Sequence, residues 1–141
     1  MSDCIFCKIL EKSIPSYQVY EDEYTLAFLD IFPCVQGHTV VIPKVHAHDL
    51  LDFEKQTLQG FFLGVQKSLQ KVQQVLAPQG FTVGWNHGAA GHQAVPHLHV
   101  HILPRFENDG GGSMHSVVKN PSMLKVEEVA KLFESKTREN F

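Results

Sequence analysis

Three histidines alternate with apolar residues in the segment His97-Leu98-His99-Val100-His101, and the 141-residue chain has nine histidines in all. In a β-strand successive side chains point to opposite faces, so the three imidazoles are expected on one face and Leu98 and Val100 in the core. Their Cα atoms would lie about 6.6–7 Å apart, and the outer two roughly 13 Å apart. That separation argues against one metal ion bound by all three, since Zn–N bonds are about 2 Å long. At least one imidazole is therefore predicted to act as a nucleophile or in acid–base chemistry, the alternative being a polar strand face of structural histidines.

A second pattern is Cys4-x-x-Cys7. Two thiolates at this spacing are a common half of a zinc site, whose other ligands come from distant parts of a sequence. A pair of buried free cysteines is one alternative, and a redox dithiol is another, although the βαβ pattern of thioredoxin-like proteins is missing. Cys34 has no second cysteine nearby and is not assigned a role.

Composition and charge restrict the class of protein. The chain carries a net charge of −3 and 43% hydrophobic residues, which predicts one folded domain and argues against a dedicated nucleic-acid surface. No apolar run approaches the ~18 residues that span a membrane, and no basic segment followed by an apolar one predicts a secretion signal. With only three cysteines a disulfide framework is excluded, so a cytoplasmic location without membrane partners is expected.

Hydrophobic periodicity predicts the elements that position these residues. Alternation with a period of two predicts five short strands, at residues 17–20, 24–30, 38–42, 81–86 and 97–103. Spacings of three and four predict one long helix near 54–77, with shorter helices at 4–11 and near 123–136. This order predicts an α+β fold with an antiparallel sheet and helices on one side of it. Exposed sheet edges are one reason to expect a homodimer.

The histidine segment also resembles a known family. Residues 93–105 contain the pattern His-φ-His-φ-His-φ-φ and resemble the signature of the histidine-triad (HIT) family. Three further segments are similar to the family in order and spacing: residues 3–9, 26–31 and 37–44. The resemblance is greatest to bacterial-type HIT hydrolases and the Hint branch. It implies a single HIT-like domain over 1–141, with a core at 3–105 and a C-terminal loop and helix at 106–141.

The resemblance implies a nucleotide hydrolase or phosphoramidase that acts at the α-phosphate of purine nucleotide conjugates. His99 matches the family nucleophile, which forms a covalent nucleotidyl intermediate, and His101 and His38 match histidines around the phosphate. No catalytic metal is required, because imidazoles supply the positive charge. The nucleotide-binding positions implied are Phe6, Ile9, Phe28, Asp30, Ile31, Val40, Asn86, Gln93 and Ala94.

Several of these positions have a purely structural alternative. Phe28 and Asp30 are expected on one strand face, where a base and its ribose can lie side by side. Asp30 matches the acid that accepts ribose hydroxyls, but it is also suited to a turn before Pro33. Phe6 and Phe28 are equally typical of a core. Gln93 matches a loop residue near the phosphate.

In family members with the cysteine pair, two histidines complete a metal site. The resemblance therefore implies the ligands Cys4, Cys7, His46 and His97. A closed site of four protein ligands would hold structural zinc rather than catalytic zinc. His97 would then be unavailable as an acid for the leaving group.

The sequence departs from the family pattern in the loop before the triad. His92 stands where a glycine is common, and Ala94 lacks the polar group often found at its position. His87 and His92 are either additional acids or surface residues. Two other functions stay open: a nucleotide-binding regulator with negligible turnover, and a dinucleoside polyphosphate hydrolase.

Overall fold

The computed structural model describes residues 3–140. Within them lie three α-helices: α1 over Ile5–Leu10, α2 over Lys55–Leu76 and α3 over Val126–Asn140. The strands are β1 Gln18–Glu21, β2 Thr25–Leu29, β3 Thr39–Pro43, β4 Gly80–Gly84 and β5 Val100–Arg105. Short 3₁₀ turns occur at Leu50–Asp52, Ala89–Gly91 and Met114–Ser116.

The strands form one antiparallel sheet in the order β1-β2-β3-β5-β4. Phe28 of β2 is paired with Val40 of β3, and Val40 is paired with His101 of β5. The middle of the sheet therefore places an apolar ring, a valine and an imidazole in one row. The predicted α+β class and five-stranded antiparallel sheet are confirmed.

Alternation along the strands gives the sheet two apolar faces. One face buries the following residues against Phe61 and Val65 of α2: Ala27, Val41, Leu98, Val100 and Ile102. The other face buries these residues against Phe6 and Ile9 of α1: Leu26, Phe28, Val40 and Ile42. The expectation of helices on one side is therefore wrong. A period of two separates the faces of a strand but does not say which helix covers each face.

Two predicted strand boundaries also differ from the structure. The strand expected over 97–103 begins only at Val100, and the strand expected over 81–86 ends at Gly84. Leu98 does not pair with a neighbouring strand, because its N–H donates to the carbonyl of Ala47 at 2.8 Å. His97 and His99 therefore lie in an irregular segment that leads into β5.

The contacts of the chain divide it into two compact units, one ending at Gly111 and one beginning at Gly112. The first unit contains the sheet, α1 and α2, and the second contains α3. A single domain over 1–141 stays a prediction, and residues 1, 2 and 141 of that range lie outside the described part. Between residues 3 and 140, no helix is both long enough and apolar enough to span a membrane.

Glycines let α2 approach β2 closely. A Cβ atom at Gly64 would collide with the side chain of Thr25, and one at Gly60 would collide with the ring of Tyr24. Thr25 is fully buried, so its side chain cannot relieve such a contact by turning into solvent. The close approach of α2 to β2 therefore requires glycine at positions 60 and 64.

We expect Gly64→Ala to lower the free energy of unfolding, because the added methyl group overpacks the contact with Thr25. Overpacking costs about 1–3 kcal/mol, whereas alanine returns at most about 1 kcal/mol of helix propensity. Urea unfolding followed by circular dichroism measures the change. Gly80→Ala is the control, since the nearest atom to its added Cβ lies 3.9 Å away. Equal stability of Gly64→Ala and the wild type would contradict this packing.

Candidate active site and metal centre

The three histidines of the triad lie on the sheet face that α1 covers. Leu98 and Val100 are buried on the opposite face, so the predicted alternation extends into the irregular segment before β5. The ring of Phe6 contacts the rings of both His97 and His99, with centroids 5.8 and 5.0 Å apart. One α1 side chain thus packs against two of the three imidazoles.

The tautomer of His99 follows from one hydrogen bond. Its Nδ1 lies 2.8 Å from the backbone carbonyl oxygen of His97. A carbonyl oxygen only accepts, so Nδ1 carries the proton and Nε2 keeps a lone pair in the neutral ring. A neutral imidazole with a free lone pair is a competent nucleophile.

A chain of hydrogen bonds fixes the second imidazole pair. The N–H of Cys34 donates to Nδ1 of His38 at 3.3 Å, so Nε2 of His38 carries the proton. That Nε2 lies 2.9 Å from Nδ1 of His101 and donates to it. The remaining proton of a neutral His101 is therefore on Nε2, which makes this nitrogen a hydrogen-bond donor.

Burial keeps this pair neutral. Burial lowers the pKa of His101 to about 4, and the neighbouring His99 and His38 imidazoles act in the same direction. Burial also lowers the pKa of His38, against the opposing charge of Asp30. Near neutral pH both rings are therefore uncharged. The hydrogen bond from Cys34 then determines which nitrogen of each ring carries the proton.

A cavity of about 490 Å³ lies over this face of the sheet. Apolar side chains of α1, β2 and β3 form one part of its wall, and the rings of Phe6 and Phe28 lie 5.9 Å apart there. Polar side chains form another part, with His99 and His101 among them. The predicted nucleotide-binding residues that line it are Phe6, Ile9, Phe28, Asp30, Ile31, Val40, Asn86 and Ala94.

Asp30 has a turn contact and a cavity contact at once. Its Oδ1 accepts the N–H of Phe32 at 2.8 Å, which is the turn role considered from the sequence. Its Oδ2 lies 3.6 Å from Nε2 of His38, and the residue lines the cavity. One oxygen shapes the turn, and the other lies beside the histidine pair.

Gln93 lies apart from the other predicted nucleotide-binding residues, because its amide is bonded to the backbone. Its Oε1 accepts the N–H of Gly88 at 2.9 Å. Its Nε2 donates to the carbonyls of His48 and Val95 at 2.7 and 3.1 Å. Gln93 therefore braces the glycine-rich loop of residues 87–96, and it is not among the residues that line the cavity.

Some cavity residues gave no signal in the sequence. Ile14 and Pro15 reach the cavity because the chain reverses after α1, where Lys12 adopts a left-handed conformation with φ of 63°. A lysine is not a turn residue, so no pattern predicted this reversal. The other lining residues that were not predicted are Ile5, Ser16, Leu29, Phe32 and Val95. His92, which the sequence left as an additional acid or a surface residue, also lines the cavity.

The structure brings Cys4, Cys7, His46 and His97 together. Their ligand atoms all lie within 4.8 Å of one another, and Nδ1 of His46 and Nδ1 of His97 are 3.2 Å apart. The Sγ atom of Cys7 lies 3.2 Å from His46 Nδ1 and 3.6 Å from His97 Nδ1. Ligand atoms around a tetrahedral zinc ion would be about 3.3–3.8 Å apart, so the donor set fits a metal ion.

The protonation of His97 also suits a metal ligand. Its Nε2 donates to the carbonyl of Pro43 at 3.0 Å, so Nδ1 keeps the lone pair that faces the thiols. Burial raises the pKa of Cys7 to about 11, and the hydrogen bond with Cys4 adds to this effect. A metal ion that binds here would displace the thiol protons. Cys4, Cys7, His46 and His97 can therefore hold a metal ion and are called the metal group below.

Comparison with known proteins places these features in context. A model of the HIT domain matches residues 11–108, a range that begins after both cysteines of the metal group. An uncharacterised HIT-like protein of Borreliella burgdorferi is 41% identical in an alignment of 136 residues, which covers 92% of this chain and 95% of that protein. The adenosine 5'-monophosphoramidase of Saccharomyces cerevisiae is 37% identical over 108 residues, 77% of this chain and 66% of that protein. The crystal structure of a HIT family member from Bacillus subtilis superposes with a TM-score of 0.84 at 36% identity, over 99% of this chain and 98% of that one.

We expect the free energy of unfolding to decrease as the pH falls, and His101 to account for part of this decrease. The folded state holds the pKa of His101 at about 4, whereas the unfolded chain takes up a proton near pH 6.5. Stability from this group is therefore complete above about pH 6.5 and is lost as the pH falls towards 4. Because the ring is partly exposed, we expect about 1–2 kcal/mol.

Urea unfolding of the wild type and His101→Gln between pH 7 and about 4.5, with chelator present throughout, measures this contribution. The wild type should lose stability more steeply than the variant as the pH falls. Parallel curves for the two proteins would contradict the assignment.

Proposed function

Since the chain belongs to the HIT-domain family, we propose that it is a hydrolase that acts at the α-phosphate of purine nucleotide conjugates. The observation that carries the proposal is the hydrogen bond from His99 Nδ1 to the carbonyl of His97. It leaves a lone pair on Nε2 of a histidine that lines the cavity. The identity with a yeast phosphoramidase supports an amide of adenosine monophosphate as a substrate.

The cavity suits a nucleoside monophosphate. The base would lie against the rings of Phe6 and Phe28, in the apolar part of the cavity. The ribose hydroxyls would donate to Oδ2 of Asp30, the oxygen that does not accept from the turn. The phosphate would then lie between His99 and His101, where Nε2–H of His101 donates to a phosphate oxygen.

The reaction would proceed in two displacements at phosphorus. Nε2 of His99 attacks the α-phosphorus, a bond forms between them, and the bond to the leaving group breaks. Water then attacks the nucleotidyl-histidine, and the bond to Nε2 breaks to release the nucleotide. Nδ1–H stays bonded to the His97 carbonyl in both steps, so the positive charge on the ring is stabilised where it develops.

We also propose that Cys4, Cys7, His46 and His97 hold zinc. The four protein ligands would leave no open position, so the ion would have a structural role. Two ligands come from the α1 region and one from the segment that contains His99. The site would thus join the apolar wall of the cavity to the nucleophile.

We expect His99→Ala to lower the release of AMP from adenosine 5'-phosphoramidate by at least about 10³-fold, because the variant has no nucleophile. AMP affinity, measured by calorimetry, should change little. His115→Ala, which removes an exposed histidine of the second unit, is the control. Turnover by His99→Ala equal to the wild type would overturn the assignment of the nucleophile. AMP binding without turnover in the wild type would favour a regulatory, nucleotide-binding role.

We expect wild-type protein to contain about one zinc ion per chain and Cys7→Ser to contain far less, since one of four ligands is lost. Cys7→Ser should also melt at a lower temperature. Cys34→Ser is the matched control, because Cys34 is exposed and outside the metal group. Elemental analysis and calorimetry give both values. Equal zinc in Cys7→Ser and Cys34→Ser would refute the proposed ligand set.

A further inference from the structure

His92 combines an unusual backbone conformation with a position on the cavity. It lines the same cavity as His99 and His101, and its side chain is exposed to solvent. Its φ of 65° and ψ of 32° lie in the left-handed region, which is uncommon for a residue with a side chain. Gly91, immediately before it, does not have a positive φ. The left-handed position, which glycine adopts most readily, is therefore occupied by His92 and not by the glycine next to it.

The loop holds His92 in this place from both sides. The N–H of His92 donates to the carbonyl of Ala89 at 3.0 Å. The next residue, Gln93, bonds to Gly88 through both its backbone N–H and its side-chain Oε1. Because Gln93 is also bonded to His48 of another loop, the Cα of His92 has little freedom to move away from the cavity.

The other histidines of the site have little capacity left to supply a proton. Both ring nitrogens of His97 are engaged, Nε2 with Pro43 and Nδ1 with the metal group. Both ring nitrogens of His38 are engaged as well, with Cys34 and His101. His99 uses Nδ1 for the His97 carbonyl, and Nε2 is needed for attack.

His101 has one available proton, but it is a weak acid there. Burial holds its pKa at about 4, so the ring is neutral near pH 7. The N–H of a neutral imidazole donates a hydrogen bond to a phosphate oxygen but does not transfer its proton at this pH. Asp30, the remaining titratable side chain that lines the cavity, lies beside the histidine pair.

We propose that His92 is the general acid for the leaving group and the general base for water. The inference rests on the function proposed above and specifies its leaving groups. In the first step Nε2 of His99 bonds to phosphorus, the bond from phosphorus to the leaving nitrogen or oxygen breaks, and that atom takes the proton of His92. In the second step water attacks phosphorus and gives a proton to His92. The bond between phosphorus and Nε2 of His99 breaks, and its electron pair returns to Nε2.

The assignment defines the substrate class. An amine or an alcohol leaves as a strongly basic anion unless it is protonated, so its departure depends on the acid. A nitrophenolate is a stable anion and leaves without a proton. The site is therefore built for nucleoside monophosphates joined to amines or alcohols.

The test compares two substrates, the alkylamide of AMP and the p-nitrophenyl ester of AMP. We expect His92→Gln to slow hydrolysis of the amide by about 10²-fold and hydrolysis of the ester by less than about 3-fold. His87→Gln is the control. His87 belongs to the same loop but faces Asp49, with 3.7 Å between its Nε2 and Oδ2 of Asp49. It should slow neither substrate.

A second variant separates chemistry from loop structure. His92→Gly accepts the left-handed backbone without strain, so the loop should be retained while the imidazole is lost. Added imidazole should then restore part of the amide hydrolysis and leave the ester unaffected. Equal loss on both substrates, or no rescue in His92→Gly, would overturn the role of His92. Failure of the wild type to cleave either substrate would instead overturn the proposed function, and the inference with it.

Discussion

The hydrogen bond between Nδ1 of His99 and the carbonyl of His97 connects the chemistry of the site to its architecture. It determines which nitrogen of His99 keeps a lone pair. The carbonyl is in place because the His97 side chain is fully buried and bonded at both ring nitrogens. His97 thus contributes its ring to the cysteine–histidine group that can hold a metal ion and its backbone to the site of His99.

Residues next to Cys4, Cys7 and His46 connect the walls of the cavity. Phe6 lies on α1 between the two cysteines, and its ring contacts His97, His99 and Phe28. The carbonyl of Ala47, one residue after His46, accepts the N–H of Leu98, and the carbonyl of His48 accepts from Gln93. The loop after β3 therefore positions both the histidine segment and the glycine-rich loop.

Much of this arrangement could be predicted from local pattern. A period of two placed Leu98 and Val100 in the core, on the face opposite the imidazoles. What local pattern could not supply were contacts between distant segments. Because Leu98 donates to Ala47, β5 begins only at Val100. The hydrogen bond from Gln93 to His48 connects two loops, so the Gln93 amide has a structural role. The metal group was expected from a family resemblance, because spacing alone identified only Cys4 and Cys7.

The tautomer of His99 determines which ring nitrogen can attack phosphorus, and NMR of nitrogen-labelled protein observes it directly. The imidazole nitrogen signals of His99, assigned by comparison with His99→Ala, distinguish a protonated nitrogen from one with a lone pair. The geometry predicts that the neutral ring is protonated at Nδ1 and carries its lone pair on Nε2. A neutral ring protonated at Nε2 would contradict the role of His99 as the nucleophile through Nε2, because the hydrogen bond to His97 would be absent and the attacking nitrogen would have no lone pair.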